Sequence, residues 1–126
     1  MIVDLTLDAG ALIAIERGDS TVRSMVDQAL ADGRAIHVVP GVLAQVWRGG
    51  PRQARLAAFM DQSEVTLGNL DPDTAKAVGV LIGLTGHADV VDVHVALHAR
   101  LHGHAVMTSD PDDIRAVDPS LSLIEV

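Results

Sequence analysis

The stretch Ala88–Asp113, ADVVDVHVALHARLHGHAVMTSDPDD, decides the reading of the chain. An apolar helix pattern opens with Asp89 and Asp92, and on a helix two residues three apart share a face. A short apolar run follows, Ala105–Met107, and ends in Thr108-Ser109-Asp110. A helix leading straight into a buried strand is one unit of an alternating α/β chain. The stretch also concentrates acids, with five of the seventeen in the chain. Carboxylates this close raise one another's pKa and cost stability, and a cation removes that cost.

Outward from this segment the same alternation continues. Ile2–Leu7 reads as a strand and Ala9–Arg17, AGALIAIER, as a helix ending at Gly18. Ser20–Ala31 reads as a helix capped by Asp19 or Ser20, with Met25, Val26, Ala29 and Leu30 as its apolar stripe. Ile36–Val39 is a buried strand, followed after Pro40-Gly41 by a helix over VLAQVW. Pro51–Met60 is a further helix, with Pro51 suited to its first position. Glu64–Leu67 is a short strand, and Asp71-Pro72 opens a helix to about Leu84. His87–Gly103 is a helix, Ala105–Thr108 a strand, Pro111–Val117 a helix and Leu121–Val126 a last strand. Short connections between alternating elements predict a mostly parallel sheet of roughly five strands with helices on both faces, a three-layer α/β/α sandwich. Residues 1–126 read as a single domain, long enough for one core.

Composition narrows the function. Only 2% of residues are aromatic while 48% are hydrophobic, so Leu, Val, Ile and Ala must build the core. With no cysteine, disulfides, thiolate metal sites and cysteine catalysis are excluded. The N-terminus lacks a basic region, and the longest apolar run, Ala77–Leu84, is too short for a membrane span; a soluble, cytoplasmic protein is expected. A net charge of −8 argues against a general nucleic-acid coat protein, but it suits a nuclease whose acids hold cations.

Three positions stand out among the acids. Asp8 ends a strand and begins a helix. It serves either as an N-cap or as a ligand outside the carboxyl end of its strand. Asp110 has the same two readings after Ala105–Thr108. Asp71-Pro72-Asp73 repeats the local pattern behind a turn-like Gly68-Asn69-Leu70, so it serves as an internal comparison. Asp92, with Asp89, heads a helix packed on the sheet. In a parallel sheet these ends share one edge. Oxygen-only ligation there favours Mg²⁺ or Mn²⁺ over zinc, and such cations serve phosphoryl chemistry.

Other features carry two readings each. Arg48, Arg52 and Arg55 form the only basic cluster, read as a solvated surface or as a phosphate contact. Arg52 and Arg55 are expected on one helix face. His94, His98 and His102 recur every four residues. They are expected on a solvated or subunit-contact face, with metal chelation as the alternative. Ala96, Ala99 and Gly103 should face the sheet, with Val90, Val93, Leu97 and Leu101 continuing the buried side.

At LDAGALIAIERG (7–18), VLAQVWRGG (42–50), DVVDVHVALHA (89–99) and AVMTSDPDDI (105–114), in this order and spacing, the chain resembles a PIN domain, in particular the VapC-type toxin ribonucleases of bacterial toxin–antitoxin pairs. The resemblance covers nearly the whole chain. It implies a PIN-like sandwich and an Mg²⁺- or Mn²⁺-dependent endoribonuclease. It also implies a homodimer, an RNA substrate and a cognate VapB-type antitoxin. It assigns Asp8, Asp92 and Asp110 to the metal, with Asp89 and Asp113 as auxiliary acids. The family's second acid is usually a Glu, and Gln45 stands there. Gln offers a carbonyl oxygen but no charge, so either metal affinity is reduced or Asp89 substitutes, with Gln45 left to orient water or substrate. Asp112 and Asp113 otherwise read as helix-start residues, and Glu16 as a replacement acid too far from the strand end. A PIN-like binding module without catalysis is the alternative. A phosphoacceptor domain is disfavoured because the one lysine, Lys76, falls inside a helix far from any strand end.

Overall fold

The computed structural model describes residues 3–126. Five strands form one sheet: β1 (Leu5–Leu7), β2 (Ile36–Val38), β3 (Val65–Leu67), β4 (Ala105–Thr108) and β5 (Leu123–Glu125). All are parallel, in the order β3-β2-β1-β4-β5. Seven α-helices accompany them: α1 (Ala9–Arg17), α2 (Ser20–Ala31), α3 (Pro40–Val46), α4 (Ala54–Met60), α5 (Pro72–Thr85), α6 (Val90–His102) and α7 (Pro111–Val117). Helices α1 to α4 pack with one another on one face, and α5 to α7 on the other, with α1 and α6 lying directly on β1 and β4. The expected three-layer α/β/α sandwich is the observed one.

The central strands are buried throughout, as parallel strands covered on both faces must be. Leu5, Leu7, Ile36, Val38, Val106 and Met107 are all at most 1% exposed. The register pairs Thr6 with His37 on β2 and Val106 on β4, so these three share a sheet face. Chain order runs from β1 out to β3, then returns to β4 on β1's other side. The direction of the sheet therefore reverses between β1 and β4, and open α/β sheets bind ligands outside the carboxyl ends at such a point.

Several boundaries differ from the sequence expectation. The first strand begins at Leu5, and the expected start, Ile2, lies outside the described residues. Pro51–Met60 divides into a 3-10 turn, Pro51–Gln53, and α4, so Arg52 and Arg55 do not share one continuous α-helix. The break follows from Gln53, which is buried. Its Oε1 accepts from the N–H groups of Arg48 (2.7 Å) and Gly49 (2.8 Å), and its amide donates to Val46 O (2.8 Å) and Glu16 (3.2 Å).

Helix α6 departs most from its expected faces. It starts at Val90, with Asp89 as its N-cap rather than a member of its first turn. Val90 and Leu101, expected inside, are 50% and 70% exposed. His94 and His98, expected outside, are 2% and 8% exposed. Lying between the sheet, α5 and α7, the helix is enclosed on several sides, and the polar sheet face carrying Thr6 and His37 receives the histidines. Among the described residues, no single helix is long and apolar enough to cross a membrane.

Candidate metal and phosphate site

The reversal between β1 and β4 sets Asp8 and Asp110 side by side at two strand ends. Asp8 is buried. It accepts from the Ala11 N–H (3.0 Å), which caps α1, and its other oxygen accepts a short hydrogen bond from the Thr108 hydroxyl at the end of β4. Capping and site placement thus coexist in one carboxylate. Burial pushes its pKa up, Asp110's charge adds to that, and the bonds from Thr108 and Ala11 only partly oppose it. Gly10 makes the approach possible: a Cβ there would fall 1.8 Å from Ser109 Oγ and 2.5 Å from Ser109 Cβ.

Asp110 begins α7, yet its side chain makes no capping bond. Its own N–H donates to Thr108 Oγ1 (2.9 Å), which aligns the turn and leaves the carboxylate exposed. Asp71, with the same Asp-Pro pattern, does cap, accepting from Thr74 N–H at 2.8 Å. The capping reading thus holds for Asp71 and fails for Asp110.

A second group lies where α6 meets α7. His87, Asp92 and Asp113 each offer a ligand atom, all within 4.8 Å of one another. His87 Nε2 and Asp92 Oδ2 are 2.9 Å apart. Asp92's pKa is raised, first by burial and then by Asp89 and Asp113, against the His87 hydrogen bond. His87 went unread in the sequence, where it marked only a helix start. Its signal would have been the five-residue reach back across the Asp89 cap. Asp113 joins this group, whereas Asp89 accepts from the Asp92 N–H (2.9 Å) as an N-cap.

Gln45 is exposed on α3, and among the described residues its amide makes no hydrogen bond. It stands four residues after Gly41, on the same helix face. A Cβ at Gly41 would meet Val91 Cγ2 at 2.9 Å, so this face turns toward the first turn of α6, next to Asp92. The basic cluster lies elsewhere. Arg55 packs its guanidinium against Gly18, at the far end of α1, ~15 Å along the helix from Asp8. Arg48 donates to the carbonyls of Ala44 and Trp47. For Arg55, the phosphate-contact reading has no geometric support.

The four carboxylates Asp8, Asp92, Asp110 and Asp113 come from the starts of three helices and the ends of two strands. Among the described residues, none of them forms an ion pair with Lys or Arg. Oxygen donors with one imidazole fit a hard or borderline divalent cation such as Mg²⁺ or Mn²⁺. The set is split, however: Asp8 responds to Asp110, Asp92 to Asp113 and Asp89, and no three of the acids expected from the sequence offer oxygens within 4.8 Å.

No protein-family model matches the sequence, and no curated protein does. Solved structures do. The chain is similar to one in VapBC2 from Rickettsia felis bound to a DNA fragment from their promoter, with a TM-score of 0.74 and 18% identity over 96% of this chain and 97% of that one. It is similar to one in FitAB bound to an IR36 DNA fragment, with a TM-score of 0.64 and 16% identity over 96% and 94%. A third is FitAcB from Neisseria gonorrhoeae, at 0.61 and 15% over 96% of each chain. At these identities the likeness carries the fold, the PIN-like sandwich expected from the sequence.

Proposed function

We propose that the chain is a metal-dependent endoribonuclease of the VapC type, the toxin of a toxin–antitoxin pair. The observation that carries this is the set of carboxylates, without Lys or Arg partners, at the point where the sheet reverses. A buried acid with a raised pKa beside a second acid is unfavourable by itself and becomes favourable around a cation. Asp8, Asp110 and Asp92 would hold Mg²⁺ or Mn²⁺, with Asp113 supporting. Bound there, the cation polarises a backbone phosphate and lowers the pKa of a water.

The chain's own groups set the geometry. Thr108 and the Ala11 N–H fix both oxygens of Asp8, while His87 orients Asp92. Gln45, on the adjacent exposed face, is available to orient water or RNA by hydrogen bonds. The cation also explains how a chain of net charge −8 meets a polyanion.

The neighbours that share this fold include a VapBC2 assembly and FitAB, each bound to DNA, which supports a partner of the VapB type. A groove lined by Pro40, Leu43, Trp47, Met60 and Leu67 offers such a partner an apolar seat. Val42 on the same helix is buried, while Trp47 is 42% exposed. Val80 and Leu84 on α5, 63% and 79% exposed, support the homodimer. Leu84→Glu should shift the protein to monomer in sedimentation; an unchanged dimer removes α5 from that interface.

The deciding experiment is cleavage of single-stranded RNA with Mg²⁺ or Mn²⁺. Loss of cleavage in Asp92→Asn and in excess EDTA is expected, and full activity in either overturns the reading. The alternative is a PIN-like binding module without catalysis, favoured by Gln45, which supplies no charge where an acid is expected. Gln45→Glu should then be needed for both Mn²⁺ binding and cutting. If the natural chain already binds Mn²⁺ and cuts RNA, the alternative fails.

A further inference from the structure

Five of the six histidines gather at one place on the far side of α6 from its acidic start. His37 projects from β2. His94, His98 and His102 form successive turns of α6, and His104 precedes β4. His37 Nδ1 and His98 Nε2 are 2.8 Å apart. The rings of His98 and His102 stack with centroids 4.1 Å apart, and His104 meets His37 edge-on at 4.6 Å. One ring nitrogen from each of His37, His98 and His102 lies within 4.8 Å of the other two.

We propose that His37, His98 and His102 form a site for a borderline divalent transition metal of the Zn²⁺ class, separate from the carboxylate site. His98 and His102 are an i, i+4 pair, the spacing at which two imidazoles on one helix can chelate, and His37 supplies a third nitrogen from the sheet. Two Zn–N bonds of ~2.0–2.1 Å at a tetrahedral angle put their nitrogens ~3.4 Å apart. The His37–His98 pair, at 2.8 Å, is tighter than that value and all three nitrogens lie within 4.8 Å of one another, so small ring rotations are enough to reach it.

The tautomer of His102 is already set. His102 Nδ1 is 2.8 Å from the His98 carbonyl, which can only accept. His102 therefore carries its proton on Nδ1 and presents a bare Nε2. The remaining coordination position opens onto a cavity of about 310 Å³ lined by Thr66, Asn69, Thr74 and Leu97. His94 also lines it, and among the described residues its buried Nε2 has no hydrogen-bond partner. His104 is engaged with Thr6 at 2.9 Å and supports His37 from behind. Ten residues of helix, ~15 Å, separate Asp92 from His102. A metal here would pin α6 to β2.

The test uses the untagged chain in excess Mg²⁺, titrated with Co²⁺ as a visible probe and then with Zn²⁺. One equivalent of Co²⁺ should give a tetrahedral d–d band that Zn²⁺ abolishes. His102→Ala, at an exposed position that keeps the fold, should weaken binding by more than ~100-fold, beyond what loss of an outer partner costs. Asp92→Asn and Asp113→Asn should leave the band unchanged. Absence of any band or heat of Zn²⁺ binding overturns the proposal. So does equal affinity in His102→Ala, or a band lost in Asp92→Asn.

Discussion

Thr108 and Asp8, a hundred residues apart in sequence, are joined by a buried hydrogen bond at the ends of adjacent strands. The bond holds a carboxylate whose charged form is disfavoured by burial and by Asp110. Asp8→Asn removes the buried charge and keeps the cap, since Asn caps as well as Asp. Without added metal, the variant should melt a few degrees higher, on the order of 1 kcal/mol. It should also cleave RNA more than ~100-fold more slowly. A variant that is less stable and fully active would contradict both halves.

Asp71 and Asp110 share a local sequence pattern and differ in use. Asp71→Ala should destabilise the fold measurably, because it removes a side-chain N-cap. Asp110→Ala should cost less than about 0.5 kcal/mol in stability, because its side chain caps nothing. Urea denaturation of the two variants side by side checks the order, and the reverse order would sink it.

Gln53 is the buried link between α3 and α4. Gln53→Ala strands two backbone N–H groups and one carbonyl, so about 2–3 kcal/mol of destabilisation is expected. Gln53→Leu should be no better, because the loss is of partners rather than volume. A chemical melt within error of the parent would refute this.

Burial lowers the pKa of His98 and of His104 to about 4, and His37 and His102 add to the shift in both. Asp4 opposes it at His104. The unfolded chain, with histidines near 6.5, binds protons that the folded chain refuses. Stability is then complete above about pH 6.5 and falls as pH drops toward 4, by up to about 1.4 kcal/mol per unit for each group. Unfolding free energies in EDTA between pH 7 and pH 5 should show this slope, and His104→Gln should reduce it. A flat profile would be incompatible with the buried cluster.

Much of this was legible in the sequence. The Asp19 cap and apolar stripe placed α2 at Ser20–Ala31, the bounds observed, and strand–helix alternation implied the parallel sheet. Asp8 and Asp110 were legible because the strand-end rule is local. The histidines were not. Periodicity along α6 sorts residues by face but does not tell how many neighbours enclose the helix. Nor does it reveal that His37, sixty-one residues before His98, meets it from β2 on the sheet face that α6 covers. Asp113 and His87 were obscured in the same way, since their grouping depends on how α7 and the loop before α6 pack together.

The pairing of β1 with β4 also constrains how the protein comes into being. Leu5 and Leu7 pair with Ala105 and Met107, so the innermost strand contact is among the longest-range in the chain. Contacts of such high sequence separation form late and slowly. On the ribosome, β1 must wait for about four fifths of the chain before its second neighbour is made, with one edge unpaired meanwhile. Asp8 and Asp110 cannot meet until that moment. Whatever chemistry their meeting enables is withheld from the nascent protein, and a chain cut after His104 should yield no cooperative unfolding transition.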